Sequence, residues 1–330
     1  MRISKEDTIL ITGAAGFIGK HLYKSLEDKG YKNVIGVKGI SDGLDLGEVA
    51  NVGWVFDMVH PDVVIHLASR WGGLSSQMQH PAGFMYENLN MDLRMLEEFR
   101  QTGGKKFIMI VNSCAYPNHC PLPIKEEDLW NGYPPEIEAP YGIAKRTMCE
   151  TIISYQKQFG ISAVNLILSD VYGPSDSFDI RDSKLIPNIL NKVRYAMEND
   201  MGSIDVEGNA KAGRDFLHVD DCIDGIVAAM ENHSDAQPIN IASGVETNIK
   251  SLIHVVCNIM GCRAKVDWKE SLAVGPERRV FNIDKAKKYL KFEPKISLQE
   301  GLLDLIRWYI RGPSPNYYSD YKYLPPTTLG

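Results

Sequence analysis

Short apolar runs rich in β-branched residues alternate along this chain with stretches that repeat their apolar positions every three to four residues. Runs of the first kind are typical of parallel strands buried on both faces, and stretches of the second kind are typical of amphipathic helices. The alternation predicts an α/β fold built on a parallel sheet. The predicted strands include residues 8–11, 33–37, 61–68 and 106–111, and predicted helices begin near residues 18, 86, 141 and 298.

The turn after the first predicted strand contains three regularly spaced glycines, Gly13, Gly16 and Gly19. The first permits a tight turn, the second lets the backbone approach a pyrophosphate, and the third lets the helix pack closely on the strand. The N-terminus of the helix then directs unpaired N–H groups and the positive end of its dipole at the phosphates. Because the glycines stand between a strand and a helix, they predict a dinucleotide site rather than an ordinary turn.

Composition and charge narrow the class of protein. The 330 residues include 24% charged and 44% hydrophobic side chains, which is ordinary for a soluble globular enzyme. A net charge of −6 without a basic tract argues against a nucleic-acid partner, and no apolar run is long enough to cross a membrane. The six cysteines are scattered without metal-ligand spacing, so we predict no metal site and a reducing, cytoplasmic location.

The end of the second predicted strand bears on the choice of cofactor. A site specific for NAD usually has Asp or Glu there, to bind the ribose 2′-hydroxyl. This chain has Lys38, with Ser41 shortly after it. A lysine and a hydroxyl can hold a 2′-phosphate, so NADP is slightly favoured over NAD, although a solvated surface lysine gives the same pattern. Asp45 is a candidate for the adenine amino group or, nearly as well, for a helix cap.

The strongest chemical signal is a tyrosine and a lysine four residues apart, Tyr141 and Lys145, which one helix face brings together. An ammonium group beside a phenol is expected to lower the phenol pKa, which would make Tyr141 an acid and base near neutral pH. Lys145 can also bind the cofactor ribose. An ordinary surface pair is the alternative. The position of the pair after a nucleotide turn and a strand-end Ser/Cys cluster favours catalysis.

Two motifs, TGAAGFIG (12–19) and YGIAK (141–145), make the chain similar to the extended short-chain dehydrogenases/reductases. Within that group, four more segments resemble the GDP-L-fucose synthases and the GDP-mannose 3,5-epimerases. These segments are WGGL (71–74), NSCAYP (112–117), YGPSDSF (172–178) and RDFLHVDD (214–221). The resemblance runs from about residue 8 to about residue 310. It implies a Rossmann doubly wound parallel sheet, a smaller C-terminal α/β substrate domain and a homodimer.

The implied domain boundaries follow from the same resemblance. Residues 1–170, with returning segments near 212–245, are expected to form the dinucleotide-binding domain. Residues 171–211 and 246–312 are expected to bind a nucleotide sugar. The Pro- and Tyr-rich tail at 313–330 has no assignment.

The resemblance also implies roles for single residues. Tyr141 and Lys145 match the catalytic pair, and Cys114 matches a base that removes a proton beside a 4-keto group; a small buried cysteine is the alternative. A cationic neighbour is expected to favour the Cys114 thiolate. The residues expected at the cofactor are Gly13, Ala15, Gly16, Phe17, Ile18, Lys38, Asp45, Leu46, Leu67, Ala68, Tyr141 and Lys145. The residues expected at the substrate are Gly73, Ser113, Asp170, Lys184, Lys192, Arg214 and Arg278, or Arg279 in place of the last.

Three positions depart from the fucose synthase pattern. Lys184 stands where those enzymes have a proton-donating histidine. The 3,5-epimerases use lysine there, which implies a Cys114/Lys184 acid–base pair, with a phosphate contact or a solvent-facing lysine as alternatives. Asn112 replaces the catalytic serine, and an amide can polarise a carbonyl but cannot relay a proton. Asp170 replaces an asparagine, which indicates a different substrate.

Together these residues predict an NADP- or NAD-dependent enzyme for a nucleotide-diphosphate sugar, in the first instance a GDP-sugar. The predicted reaction is epimerisation at C3, C5 or both beside a 4-keto group, with redox chemistry at C4 as an option. A plain 4-ketoreductase or C4 epimerase, with Cys114 structural, is the enzyme alternative. A non-catalytic dinucleotide-binding sensor or scaffold is the alternative from another class. The intact Tyr141/Lys145 pair and the arginines suited to a diphosphate favour the enzyme.

Overall fold

The computed structural model describes residues 2–39, 43–179, 184–269 and 277–312. Ser41 and the tail at 313–330 therefore lie outside the described residues. The strands are β1 (Thr8–Thr12), β2 (Asn33–Val37), β3 (Val63–His66), β4 (Lys106–Asn112), β5 (Ala163–Leu168), β6 (Asp170–Tyr172), β7 (Ser203–Glu207), β8 (Gly213–His218), β9 (Ile239–Ile241), β10 (Glu246–Asn248), β11 (Lys265–Lys269) and β12 (Arg278–Arg279). The helices are α1 (Phe17–Asp28), α2 (Val49–Val59), α3 (Leu74–Gln79), α4 (Pro81–Thr102), α5 (Ala139–Phe159), α6 (Leu185–Glu198), α7 (Val219–Asn232), α8 (Ile249–Met260) and α9 (Leu298–Arg311).

The main sheet has six parallel strands in the order β2-β1-β3-β4-β5-β9. Every residue of β3 and β5 is buried, as expected for strands covered by helices on both faces. The α/β prediction and the doubly wound sheet are confirmed. The chain leaves β1 toward β2 on one side and returns to β3 on the other. The carboxyl ends of β1 and β3 therefore border the crevice where open α/β sheets bind ligands.

The glycine-rich turn fixes how α1 meets β1. Gly13 has φ +68°, and a Cβ atom on it would lie 2.9 Å from the backbone nitrogen of Ala68. A Cβ on Gly19 would lie 2.3 Å from the carbonyl oxygen of Gly13 and 2.7 Å from Cα of Ala14. Real Cβ atoms do not approach backbone so closely, so both positions need glycine for this packing. The close contact places the N-terminus of α1 directly at the crevice.

A smaller sheet and a second core accompany the main sheet. Strands β10, β8 and β12 are adjacent, and β6 also pairs with β8, whereas β7 and β11 form a separate pair. The second apolar cluster is built largely from α6, α8 and α9. Within the predicted returning segment 212–245, β9 joins the six-stranded sheet while β8 belongs to the smaller one. The predicted domain boundaries stay a prediction.

Asp215 ties the smaller sheet to the rest of the chain. Its buried carboxylate accepts hydrogen bonds from the backbone nitrogens of Ser243 at 2.8 Å, Gly244 at 2.9 Å and Phe281 at 3.3 Å, and from the Ser243 hydroxyl at 2.6 Å. These bonds fix β8 beside β12, and so they fix the arginines that flank the site described below.

Within the described ranges, the helices are too short or too polar for any of them to cross a lipid bilayer.

Candidate active site

Helix α5 carries the predicted catalytic pair on its buried face. Pro140 lies in its first turn, where a missing N–H costs nothing, and Gly160 ends it in a left-handed conformation. The four-residue spacing buries Tyr141 and Lys145 side by side, 4% and 1% exposed. A Cβ on Gly142 would lie 2.5 Å from the Cys114 carbonyl oxygen, so this glycine lets the end of β4 approach the helix.

The end of β4 brings Cys114 to the tyrosine. Residues 113–115 form one turn of 3-10 helix, and Cys114, Tyr141 and Phe84 of α4 form a small buried cluster. Burial and the charge of Glu138 raise the pKa of the Cys114 thiol well above its usual value, against opposition from Arg279. The expectation of a thiolate is therefore wrong for the protein without ligands, because burial outweighs the nearby cation.

Lys145 belongs to a buried chain of polar groups. Its Nζ donates to Oδ2 of Asp92 at 2.8 Å, and Oδ1 of Asp92 lies 2.9 Å from Nε2 of His66. Nδ1 of His66 lies 2.7 Å from Oγ1 of Thr12, which also accepts the backbone N–H of Ala68 at 3.1 Å. Because an ionised carboxylate only accepts, His66 donates Nε2–H to Asp92. Thr12, His66, Asp92 and Lys145 are each at most 1% exposed. The chain thus joins the lysine to the glycine turn.

The pKa values of Asp92 and Tyr141 are shifted in opposite directions. Burial raises the pKa of Asp92, but Lys145 and His66 together outweigh burial and hold the pKa below its usual value. For Tyr141, burial and then the Cys114 charge raise the pKa above its usual value, while the hydrogen bond with Ser69 lowers it. The expected lowering of the Tyr141 pKa by Lys145 is not found. The ammonium group lies 5.7 Å from the centre of the phenol ring and pairs with Asp92 instead.

A serine hydroxyl contacts the tyrosine. Oγ of Ser69, in the loop after β3, lies 3.0 Å from the phenol oxygen of Tyr141, and it donates to Oδ1 of Asn88 at 2.8 Å. Asn112, which was predicted to act on the substrate carbonyl, uses its Oδ1 to accept the backbone N–H of Cys114 at 2.9 Å. This bond caps the 3-10 turn. Ser113 is 1% exposed, and its hydroxyl has no hydrogen-bond partner among the described residues.

Lys184 makes its contacts at β6, in the loop after it and at the start of α1. Its Nζ is 3.3 Å from the carbonyl oxygen of Val171, 3.4 Å from Oδ1 of Asp176 and 4.7 Å from the centre of the Phe17 ring. Phe17 is the first residue of α1, so these contacts hold the lysine against the glycine-rich turn. These contacts do not include Cys114, and the acid–base pair stays a prediction.

Charged groups from four elements meet near Cys114. Buried Arg279 of β12 reaches Oε2 of Glu138 at 3.3 Å. Burial lowers the pKa of Arg279, but Glu138, Asp170 and Cys114 outweigh burial and raise it. The charges of Asp170 and Glu138 also act on Arg214 of β8. These two arginines and two carboxylates therefore form a mixed-charge wall, of which Arg279 and Glu138 act directly on the thiol.

Two predicted substrate residues lie outside this wall. Arg278, next to Arg279, points to the surface and forms an exposed ion pair with Glu246. Strand alternation explains the difference, since successive side chains point to opposite faces. Lys192 donates to the carbonyl oxygen of Asp205 at 3.1 Å, within the α6–β7 layer.

The residues predicted to hold a dinucleotide fit such a group at the turn. Gly16 is the N-cap of α1, and no side chain of the described residues caps it, so the first N–H groups of the helix face the crevice. Gly13, Ala15, Phe17 and Ile18 complete the turn, and Leu67 and Ala68 follow β3 beside it. A Cβ on Gly16 would lie 3.1 Å from the Gly13 carbonyl, so a side chain would crowd the opening that a pyrophosphate needs.

In the outer part of the predicted cofactor site, one residue is placed to contact the cofactor and the others have structural roles. Lys38 follows β2 directly, at the edge where a ribose 2′-substituent would lie. Oδ1 of Asp45 accepts the backbone N–H of Gly47 at 2.8 Å, so Asp45 stabilises its own turn. Leu46 is 3% exposed and packs in the main core. Gly73 is the N-cap of the short helix α3.

No functional role was predicted for His66, Ser69, Asn88, Asp92 or Glu138. One signal was available, because Asn88 and Asp92 are four residues apart on α4, the same spacing as Tyr141 and Lys145. They are buried polar positions on a face otherwise formed by Phe84, Met95, Leu96 and Phe99. A buried Asn and Asp need partners, so such a pair marks a packed polar network.

The fold and this site define a dinucleotide-dependent enzyme with a Tyr/Lys pair. Residues 9–242 match the family described as the NAD dependent epimerase/dehydratase family, and the chain belongs to that family. The resemblance read from the motifs is confirmed.

Named relatives are GDP-L-fucose synthases. The chain is 30% identical to GDP-L-fucose synthase of Sinorhizobium fredii, over 89% of this chain and 92% of that protein. It is also 30% identical to GDP-L-fucose synthase 1 of Arabidopsis thaliana, over 93% and 94% of the two chains. Among solved structures, a GDP-mannoheptose C4 reductase of Campylobacter jejuni with NADP bound superposes with a TM-score of 0.84 at 25% identity, covering 93% of this chain and 99% of that one.

Proposed function

We propose that this protein is an NAD(P)-dependent epimerase and reductase of GDP-linked 4-keto sugars. One observation carries the proposal: Tyr141 and Lys145 are buried beside Cys114, where the ends of β3 and β4 face the glycine-rich turn. The relatives described above, a GDP-L-fucose synthase and a GDP-mannoheptose C4 reductase, supply the substrate class. They are consistent with the basic side chains beside the thiol.

Each part of the chain has a role in binding. The N-terminus of α1 would hold the pyrophosphate, Ala68 would lie against the nicotinamide half, and Lys38 would favour a 2′-phosphate and hence NADP. When bound, the dinucleotide supplies or accepts a hydride at the sugar C4. Arg214 and Arg279 would bind the sugar nucleotide through their planar guanidinium groups. We prefer Arg279 to Arg278 because Arg279 faces the thiol and Arg278 faces Glu246.

In the reducing direction, Tyr141 supplies the proton that the 4-keto oxygen takes. Its phenol is protonated in the free protein because burial raises the pKa, so it is ready to donate to the 4-keto oxygen as negative charge develops there. Lys145, held by Asp92, keeps a positive charge close to the phenolate that is left. The same groups run the oxidation in reverse.

Epimerisation needs a base beside the 4-keto group. A Cys114 thiolate would remove the proton from the neighbouring carbon, the C–H electron pair would move into an enolate, and a second acid would return a proton to the other face. Because burial raises the pKa of the Cys114 thiol, this role depends on the positive charges of Arg279 and Lys145, which lower that pKa. Lys184 is the proposed second acid, and it acts only after leaving Asp176.

The test uses the purified protein with NADPH and a GDP-linked 4-keto hexose in D₂O. NADPH oxidation, read by its absorbance, reports reduction, and deuterium at C3 or C5, read by mass spectrometry and NMR, reports epimerisation. We expect Tyr141→Phe to abolish reduction and Cys114→Ser to abolish deuterium incorporation while reduction continues. The absence of both reactions with GDP-, UDP-, CDP- and dTDP-linked 4-keto hexoses rejects the proposal.

A plain 4-ketoreductase is the second candidate. The ammonium group of Lys184 is engaged by Asp176 and Val171, and the Cys114 thiol is buried. Both features favour the plain reductase. NADPH consumption without deuterium incorporation at C3 or C5 selects this alternative.

We also propose a homodimer through α4. Tyr86 is 68% exposed, and Leu93, two helical turns further along the same face of α4, is 39% exposed. An exposed apolar stripe on a long helix is typical of an interface. Analytical ultracentrifugation of the protein and of Tyr86→Glu should give a dimer and a weakened dimer, and a monomeric parent protein contradicts the idea.

A further inference from the structure

The last residue of β4 carries an amide and not a hydroxyl. Asn112 stands there, and its Oδ1 is already used by the backbone N–H of Cys114 at 2.9 Å. An amide also has no atom that both donates and accepts, as a hydroxyl oxygen does. A tyrosine that loses its proton in a buried site needs a donor directed at the resulting phenolate, since an unpaired buried charge is costly.

A hydroxyl on another element meets this requirement. Oγ of Ser69 lies 3.0 Å from the phenol oxygen of Tyr141, across 72 positions of sequence. Ser69 follows Ala68, whose backbone N–H is fixed by Thr12, so the loop is fastened to the end of β1 at the position where the crevice opens. The serine is therefore held at the cofactor side of the site by the main sheet.

Asn88 orients the Ser69 hydroxyl. Oδ1 of Asn88 accepts from the Ser69 hydroxyl at 2.8 Å and from the backbone N–H of Arg70 at 3.0 Å. Nδ2 of Asn88 donates to the carbonyl oxygens of Phe84 at 2.7 Å and of Arg70 at 2.9 Å. Asn88 is fully buried, and both Oδ1 and Nδ2 of its amide make hydrogen bonds, which fixes its rotamer. Oδ1 of Asn88 is therefore a fixed acceptor for the Ser69 hydroxyl.

We propose that Ser69 is the catalytic hydroxyl partner of Tyr141, a role moved from the end of β4 to the loop after β3, and that Asn88 positions it. The proposal rests on the proposed function and adds the residue that the β4 position does not supply. Ser113 is the other serine close by, but its hydroxyl makes no hydrogen bond within the described residues, whereas Ser69 contacts the reacting oxygen.

The step balances with the hydride that bound NADPH would supply to C4. As the hydride reaches C4, the π electron pair of the C=O bond moves onto the 4-keto oxygen, which takes the proton of Tyr141. The phenol O–H bond breaks, and its electron pair stays on the phenolate. The Ser69 hydroxyl then rotates from Asn88 and donates a hydrogen bond to the phenolate, keeping its own proton. In the oxidising direction the rotation reverses. Ser69 thus stabilises the negative charge of the Tyr141 phenolate and transfers no proton.

The experiment compares Ser69→Ala with Ser69→Thr, which keeps a hydroxyl, and with Ser75→Ala, which removes an exposed hydroxyl nearby. Reduction of the GDP-linked 4-keto hexose by NADPH is measured from pH 6 to pH 9. We expect Ser69→Ala to lower kcat about a hundredfold with little change in KM, as for loss of one preorganised donor. Ser69→Thr should lie between Ser69→Ala and the parent, and Ser75→Ala should match the parent.

A second measurement needs no turnover. With ¹³C at the ζ carbon of tyrosine, the resonance of Tyr141 among the 15 tyrosines is assigned by its loss in Tyr141→Phe. Ser69→Ala should shift that resonance more than any other, and Ser75→Ala should leave it in place.

The outcomes separate the two proposals. A Tyr141 resonance that does not move, or Ser69→Ala turnover equal to the parent, overturns the role of Ser69 while reduction by the parent still supports the proposed function. A parent protein inactive on every 4-keto sugar nucleotide rejects the proposed function and with it a catalytic Ser69. A moved resonance together with a loss of kcat supports both.

Discussion

The buried contact between Lys145 and Asp92 makes the sharpest prediction about this protein. The perturbations are Asp92→Leu and Lys145→Met, each made alone and then together. Asp92 is fully buried and Lys145 is 1% exposed, so water cannot take over the lost partner. Removing one member of such a pair costs about 3–5 kcal/mol of unfolding free energy, because the other charge remains buried and unpaired.

The double variant separates this effect from ordinary loss of packing. Replacing both charges with apolar groups of similar size is close to neutral, and the remaining cost is the unpaired Nε2–H of His66, about 1–3 kcal/mol. Asp92→Leu/Lys145→Met should therefore be more stable than Asp92→Leu alone. Urea unfolding followed by the fluorescence of the five tryptophans measures all four proteins. If the costs of the two single changes sum to the cost of the double change within about 0.5 kcal/mol, the argument is wrong.

Acid provides an independent check on the same pair. Burial raises the pKa of Asp92, but Lys145 and His66 outweigh burial, so the folded pKa lies below its usual value of 3.8. The contribution of the carboxylate is therefore fully present above about pH 4 and is lost as pH falls through the folded pKa. We expect the parent to lose more unfolding free energy than the double variant on acidification below pH 4. Equal losses contradict a net lowering of this pKa.

Three further predictions test the cofactor turn and the substrate wall. Gly19→Ala should abolish NADPH binding, measured by calorimetry, because its Cβ would lie 2.3 Å from a backbone oxygen; intact binding contradicts the packing argument. As a control, Gly53→Ala in α2, whose Cβ would meet no other described residue within 4 Å, should stabilise the fold by about 0.5–1 kcal/mol. Lys38→Glu should raise the KM for NADPH at least about tenfold and lower that for NADH; an unchanged ratio removes Lys38 from the cofactor site. Arg279→Ala should raise the KM for the sugar nucleotide at least about tenfold, and more than Arg278→Ala does; the reverse order places the substrate on the other face of β12.

Local features were predictable because they depend on neighbours in the chain. The strand at 33–37 agrees with the sequence prediction, and the helix after the glycines begins at Phe17, one residue before the predicted start. Turn glycines and the 3.6-residue period act over a few residues, so a sequence displays them directly. The pairing of Tyr141 with Lys145 on one helix face follows from the same short-range geometry.

Tertiary packing decided which groups these residues meet. Lys145 was expected to act on the phenol, but its ammonium pairs with Asp92, 53 positions away, and burial sets the direction of the Tyr141 pKa. The same holds for the thiol of Cys114, where burial outweighs the nearby cation. Burial and charge sum over all neighbours in space, and a sequence pattern does not list those neighbours.

The sequence by itself therefore determined the α/β class, the nucleotide turn and the identity of the Tyr/Lys pair, because each of these is encoded within one strand–turn–helix unit or one helix. Only the folded chain decided that Ser69 rather than Asn112 contacts the phenol, that Arg279 rather than Arg278 faces the thiol, and that Lys184 lies against α1. The physical reason is that such contacts depend on how strands register and helices pack across the sheet, and those arrangements are set by the core as a whole.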